Sequence, residues 1–466
     1  MSQRRWMPTA GFILLLVVSL VGLHTFAALL TARELGRAAA DDDAAYRAGG
    51  SPWQWHFAHK DDLVAGRAFG TATVSTGVNG LAVTSVNGAA FELGFPLARP
   101  ADLARLSALH LDIDADQPAT ITLVVREGDA TPQRSAADAL HLAPGVRTYG
   151  IRLDRMNWLD EAGAPTPMPA RAAMLRLRVR MPAGAHLHLR AAGLAAPSAF
   201  TVTTVELPRG LSAEDTLRRR DDIHALTPSA LVVPATGLAR LHHAVLPAWL
   251  AATVYALLLL ILAWRPSTAR WRAWLDVAAC VAGPLWLIAG LQLDLRPQPI
   301  PLAAFVAGLL YAAYLTFVRR LGDWRWLGTL AAYPLPLMAI PAALAVVLAF
   351  GHAPGPITPG HALTYLGWAL LQQWLMLAVV LGRLETAVPR NLAIWLTALL
   401  FALLHTPNGL LMQLCFVAEL GWAWCFLRTR TLLPVALAHA ACALLLESML
   451  AGGALRSLEV SARFFL

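Results

Sequence analysis

Two spacings of apolar residues divide this chain, and each predicts a different kind of element. Between about Ser51 and Ala195 apolar residues recur at every second position. Leu109, Leu111 and Ile113 alternate with His110, Asp112 and Asp114, and Leu175, Leu177 and Val179 alternate with Arg176, Arg178 and Arg180. A period of two with one apolar face specifies half-buried antiparallel strands. Turn signals such as Asn87-Gly88 and Pro182 to Gly184 separate the runs, and many short strands in this order predict a sandwich or jelly roll. Elsewhere the apolar residues are continuous. One such run covers Pro8 to Thr31, and eight more lie at about 244–264, 274–293, 299–318, 326–350, 362–382, 391–407, 409–427 and 431–450. Roughly twenty apolar residues wound as helix cross a bilayer, so each run predicts a span.

The predicted fold class is a multi-pass α-helical membrane bundle plus an exported all-β, jelly-roll-like sandwich. Its parts are an anchor at 1–32, a periplasmic sandwich at 50–196, a linker at 197–243, transmembrane helices at 244–360 and a last helical core at 361–452. Ala38 and Ala40 fit a small-residue cleavage pattern, but the first apolar run is longer than a signal core, so it reads as an uncleaved anchor.

Charge orients these spans. Arg4 and Arg5 precede the first run and Asp41, Asp42 and Asp43 follow it; Arg265, Arg270, Arg272, Arg319, Arg320, Arg325, Arg383, Arg390, Arg428 and Arg430 all fall in connections on one side. By the positive-inside rule that side and the N-terminus are cytoplasmic. Residues 33–243 are then periplasmic or extracellular, in a bacterial-type inner (plasma) membrane. The net charge of +8 arises largely in these loops. It points to a lipid bilayer as partner and to no nucleic acid. Trp264, Trp271, Trp274, Trp324 and Trp326 near the inferred boundaries form an interfacial belt. All four cysteines, Cys280, Cys415, Cys425 and Cys442, lie in the apolar runs, which leaves the sandwich to fold without a disulfide.

Chemistry enters through two histidines. His405 stands in the run Leu400 to Asn408, and His439 in the last apolar segment. An ionisable side chain in hydrocarbon is costly unless paired or hydrated, so such residues are functional candidates by default. At 1.5 Å per residue, Gln373, Glu419 and His439 each lie about 13–15 Å from a cytoplasmic arginine, and so approach one depth. A lone buried acid such as Glu419 ordinarily becomes neutral and bonds a neighbour, and a buried cysteine such as Cys442 ordinarily packs.

Residues 360 to 450 resemble the CPBP intramembrane proteases, which include the type II CAAX prenyl endopeptidases and bacteriocin-processing proteins. Phe401 to His405 matches the family's F-x-x-x-H motif, with Pro407-Asn408 after it, and Arg428-Thr429, Pro434 and His439 match the last motif. The family's paired glutamates are replaced by Gln372 and Gln373, its motif arginine falls on Leu377, and its asparagine falls on Cys442 or Ala443. The resemblance implies an endopeptidase. Glutamine, however, neither takes a proton from water nor ligates a metal at neutral pH; it holds carbonyls and water by hydrogen bonds.

Three readings follow. In the first, His405 and His439 hold water, an oxyanion or a divalent metal such as zinc, with Cys442 as a third ligand, Gln372 and Gln373 in the old motif positions and Glu419 as a relocated base, and the protein hydrolyses membrane-anchored or prenylated-type peptides. In the second, the same pocket binds a membrane-anchored peptide or protein without cutting it. In the third, the protein is an envelope assembly component whose sandwich binds glycan, with Trp53, Trp55 or Trp158 stacking on sugar rings, although an aromatic in a sandwich belongs more often to the core. His186 and His188 share a strand face and are a further metal candidate.

Overall fold

The computed structural model describes residues 9–47, 51, 53–77, 80–97, 100–128, 131–196, 203–208, 210–226, 230–234, 248–265, 267, 269–294, 296–320 and 322–465; Arg4 and Arg5 lie outside them. Two compact units result. One comprises Met1–Ala32, Gly210–Leu217 and Arg240–Leu466, the other Arg33–Arg209 and Arg218–Ala239.

The second unit is an all-β sandwich. One sheet orders its strands 145–152, 108–115, 186–195, 80–85 and 72–77, with 54–56 also pairing to 186–195; the other orders them 165–166, 158–159, 133–136, 119–126, 174–180 and 91–95, with 140–142 pairing to 119–126. The two sheets pair antiparallel throughout, and register follows the apolar alternation. Leu175, Leu177 and Val179 sit opposite Val125, Leu123 and Ile121 on one side and Phe95, Leu93 and Phe91 on the other. These residues and Leu109, Leu111 and Ile113 of the facing sheet form one buried core. A slip of one residue would turn every one of these side chains to water, which is why the alternation specifies the pairing. On the outer face Glu92 receives Arg176 at 3.0 Å and Arg178 at 2.8 Å. Burial pushes the Glu92 carboxyl up, but the two guanidiniums outweigh it and hold the pKa below the ordinary value.

Trp53, Trp55 and Trp158 belong to the core, so the proposed sugar-stacking rings are packed inside. Their burial follows from the same period of two. Residues 197–243 are more than a linker: strands Thr203–Leu207 and Ala230–Pro234 pair in parallel across the intervening helix. Parallel strands need such a crossover, and the charge-rich surroundings of Arg218 to Arg220 mask it in the sequence.

The first unit is helical. Helix α1 is Thr9–Arg47, and α2 is Ala213–Leu226. There follow α3 (Ala248–Trp264), α4 (Arg270–Ile288), α5 (Pro299–Ala313), α6 (Pro334–Leu337), α7 (Ala339–Phe350), α8 (Pro359–Gln373), α9 (Gly382–Ala387), α10 (Arg390–Leu403), α11 (Gly409–Thr429) and α12 (Leu433–Met449). Among the described residues five stretches are long and apolar enough to cross a membrane: Gly11–Asp41, Pro299–Val318, Leu330–Phe350, Pro359–Ala387 and Gly409–Thr429; α3, α10 and α12 are shorter apolar helices. The expected span at 326–350 starts late because Pro334 and Pro336, lacking an N–H, break its first turns into a 3-10 piece and the short α6.

Two features of this unit were not legible in the apolar pattern. Between α8 and α9 the eight residues Trp374–Leu381 form a π-helical stretch, all of them buried; such wide turns gather at functional sites because they rephase the side chains that follow. Near the arginine-rich ends, Asp276 is fully buried between Arg272 at 2.8 Å and Arg383 at 2.6 Å, with Tyr311 Oη donating to it at 2.7 Å. Arg272 also donates to the Leu262 and Arg265 carbonyls.

Candidate functional site

Four helices bring the motif residues together. Gln372 and Gln373 end α8 where the π stretch begins, His405 lies in the turn closing α10, Glu419 is midway along α11, and His439 is midway along α12. Phe401, one helical turn before His405, packs edge-on against that imidazole at 4.8 Å between centroids and against His439 at 5.5 Å. The F-x-x-x-H spacing therefore makes one ring a wedge between two imidazoles. Trp422 covers His439 from α11 at 5.1 Å.

The turn from α10 to α11 is held on both sides. The Asn408 side chain caps α11 by accepting the Leu411 N–H at 3.2 Å, and its amide donates to the carbonyls of Ser457 at 2.7 Å and Glu459 at 3.3 Å. Glu214 accepts the next free donor, the Leu410 N–H, at 2.7 Å. A carboxylate and an Asn cap at a helix N-terminus satisfy its orphan amides and suit its dipole. Thr406 is tied to the tail as well, its carbonyl accepting from the Ser461 N–H at 2.7 Å.

Hydrogen bonds determine what each imidazole offers. His405 Nδ1–H donates to the Phe401 carbonyl at 2.8 Å, which leaves Nε2 as an acceptor. Gln373 Nε2 donates one N–H to Glu419 Oε2 at 3.0 Å and turns the other to His439 Nδ1 at 3.3 Å. His439 Nδ1 is then an acceptor and its proton resides on Nε2. One ring accepts and the other donates. Gln373 and Glu419 are both 0% exposed, and among the described residues Gln373 Oε1 and Glu419 Oε1 have no hydrogen-bond partner.

Gln372, His405, His439 and Cys442 line a cavity of about 170 Å³ whose remaining wall is almost wholly apolar, including Tyr365, Trp368 and Leu375. No aspartate or glutamate is among its lining residues. Neither Gln373 nor Glu419 is among the lining residues; they reach the cavity through hydrogen bonds that end on His439. Leu377, where the family has arginine, is buried in the π stretch. Glu447, further along α12, pairs with His361 at 2.9 Å, both half-exposed.

The expected metal set does not assemble. Among the described residues no group of three His, Cys, Asp or Glu side chains is placed to hold an ion. His405 keeps Nε2 free but His439 carries its proton on Nε2, and Cys442 lines the same cavity without making up a group of three with them among the described residues. His186 and His188 likewise gain no third ligand; His186 Nδ1 is 2.9 Å from the Thr84 hydroxyl.

The tail was missed by sequence reasoning. Leu458 and Val460 form part of the cavity wall, and Ser461 ties them down by donating to the Leu287 carbonyl at 3.2 Å. Leu458 and Val460, beyond the last span, carry no periodicity from which this could be read.

Residues 354–445 match the family model described as Rce1-like, Type II CAAX prenyl endopeptidase Rce1-like. No curated protein matches the chain. Similar solved structures include the family 11 carbohydrate-binding module of cellulosomal cellulase Lic26A-Cel5E of Clostridium thermocellum, 10% identical over 28% of this chain and 83% of that one, with a TM-score of 0.22. Another is the family 11 module from Clostridium thermocellum in complex with beta-1,3-1,4-mixed-linked tetrasaccharide, also 10% identical over 28% of this chain, covering 84% of that one at a TM-score of 0.22. The matched segment contains Gln372, Gln373, His405, Glu419 and His439, and the order of its motifs is the order in which four packed helices deliver them; the membrane core at 354–445 is Rce1-like, of the CPBP type, with glutamines in place of the paired glutamates.

Proposed function

We propose that this core is a recognition site for a membrane-anchored or lipidated peptide, descended from a protease architecture and working by capture. The observation that carries the reading is the absence of any carboxylate among the residues lining the cavity. A site built on paired glutamates would take a proton from water with a carboxylate on the wall, and here that position is held by an amide, Gln372. The apolar surround of Tyr365, Trp368 and Leu375 suits an acyl or apolar side chain. The floor of Gln372, His405 Nε2 and His439 Nε2–H supplies donors and acceptors to a peptide group.

A second reading is favoured by one specific observation. The free Nε2 of His405 is an acceptor beside a donor on His439, which is the pairing that a histidine base and an oxyanion donor would need. The two readings separate when purified full-length protein is incubated with prenylated and membrane-anchored peptides. Retention of intact peptide by the native chain and its loss in His405→Ala supports capture. Peptide fragments that vanish in His405→Ala establish hydrolysis instead. The site operates in a multi-pass membrane protein whose orientation we assign by the positive-inside rule, with residues 33–243 on the outer side. Trp53, Trp55 and Trp158 are buried, so a glycan bound by the sandwich would have to use other residues.

A further inference from the structure

Glu419 is a carboxylate in the membrane core that the recognition reading leaves without a task. It is wholly buried, it does not line the cavity, and its one hydrogen bond is to Gln373. Gln373 in turn makes its other contact with His439. An amide has two chemically opposite ends of nearly equal size, and in isolation either could face His439. With the oxygen toward His439, the ring would carry its proton on Nδ1 and present a bare Nε2. With the nitrogen toward it, the ring presents Nε2–H. What decides between them is the group on the far side of the amide. Glu419 Oε2 accepts the Gln373 N–H at 3.0 Å, as the oxygen of a charged or a neutral carboxyl does, so it holds the NH2 end toward itself and, because both N–H bonds share that end, toward Nδ1 as well.

We infer that Glu419 is the positioning residue of this site: its carboxyl oxygen Oε2 orients the Gln373 amide, which holds His439 as the Nε2–H tautomer. In its effect the acidic group lost from α8 is thus replaced from α11, acting one hydrogen bond further from the bound molecule. The inference rests on the recognition reading only for its consequence, since the tautomer is a property of the free protein.

The test is made on full-length protein in lipid nanodiscs with nitrogen-15-labelled histidine. The His439 signals are assigned by their loss in His439→Gln, and the tautomer is read from the Nδ1 and Nε2 shifts. The native chain is expected to carry the proton on Nε2. Glu419→Gln retains it, because its carbonyl oxygen also accepts from the Gln373 amide. Glu419→Leu releases the amide and loses the preference. The exchange of Gln373→Glu with Glu419→Gln puts an acceptor beside Nδ1 and transfers the proton there, an inversion that a packing role would not produce. The exchange also measures the result if the leucine variant does not fold. Peptide capture should fall about tenfold in the exchange variant, the worth of one donor hydrogen bond. A proton on Nδ1 in the native chain, or one that stays on Nε2 in the exchange variant, overturns the inference. Native protein that shows the expected tautomer yet captures no peptide overturns the recognition reading alone.

Discussion

Single side chains in this protein are placed by the arithmetic of burial against hydrogen bonding, and the two units solve it differently. In the membrane core, Gln373 and Glu419 are tolerated at 0% exposure because each supplies what the other lacks. In the sandwich, Asp102 is buried with the Arg105 guanidinium at 3.7 Å. Burial pushes its pKa up to about 6 from 3.8, the nearby arginine and two backbone amides opposing. A carboxyl whose folded pKa is raised contributes stability below its unfolded value and loses it as pH rises through the folded one. Native sandwich should therefore weaken between about pH 4 and pH 6, by at most about 3 kcal/mol at 1.36 kcal/mol per unit. Asp102→Asn is expected to be more stable than native at pH 8 and nearly equal to it at pH 4. Hydrogen exchange at strands 101–102 and 171–172, which pair through Asp102 and Arg171, measures the difference; equal protection at pH 8 would refute it.

Elements carry the next layer of control, and here the tail matters most. The segment Leu455 to Ser461 has no span and no strand, yet Leu458 and Val460 complete the cavity wall, with Asn408 and Thr406 gripping the backbone on one side and Leu287 on the other. The same Asn408 caps α11, so the family's Pro-Asn signature has a structural reason: it ends one helix, starts the next and anchors a wall. Ending the chain at Gly453 removes two apolar wall residues and should open the cavity to lipid. Cys442, which lines it, is then expected to react severalfold faster with a membrane-permeant maleimide, as judged against Cys442→Ser. An unchanged rate would mean that the tail does not limit access. The buried Arg272, Asp276 and Arg383 group works at this scale too. It ties α4 to the start of α9, and a charge inside such a group is costly to leave alone, since removal of one partner strands the others.

At the scale of the whole chain, the orientation of the helices follows from where arginines fall, and it can be checked directly. A cysteine introduced at Thr386, exposed beside Arg383 and Arg390, should label only from the cytoplasmic side, and one at Ala353, exposed in the opposite connection, only from outside. Labelling of both from one side would remove the orientation and with it the assignment of residues 33–243. The membrane core holds no open polar channel among the described residues lining its cavity; its polar atoms are few and face one another. In a low-dielectric interior the bonds from Gln373 to Glu419 and His439 are held firmly, and the unpartnered Gln373 Oε1 and Glu419 Oε1 are the costly part of the arrangement.

Local periodicity was enough to specify the elements. Continuous apolar runs predicted helices, five stretches of which, among the described residues, are long and apolar enough to cross a membrane, and strict alternation predicted strands with Leu175, Leu177 and Val179 inward, because the pattern itself states which face meets water. The two histidines and the glutamine pair were also legible, since short spacings on a helix are rigid. Helical rise even placed Glu419 at the depth of Gln373 and His439. Rise says nothing about which way a side chain faces, and that was left to tertiary packing. Only the folded bundle turned Glu419 toward the Gln373 amide, folded the tail into the cavity wall and brought Arg383 of α9 onto Asp276, which Arg272 already meets within α4. Each of these depends on rotation and approach between elements far apart in the chain, for which no residue carries a local signal.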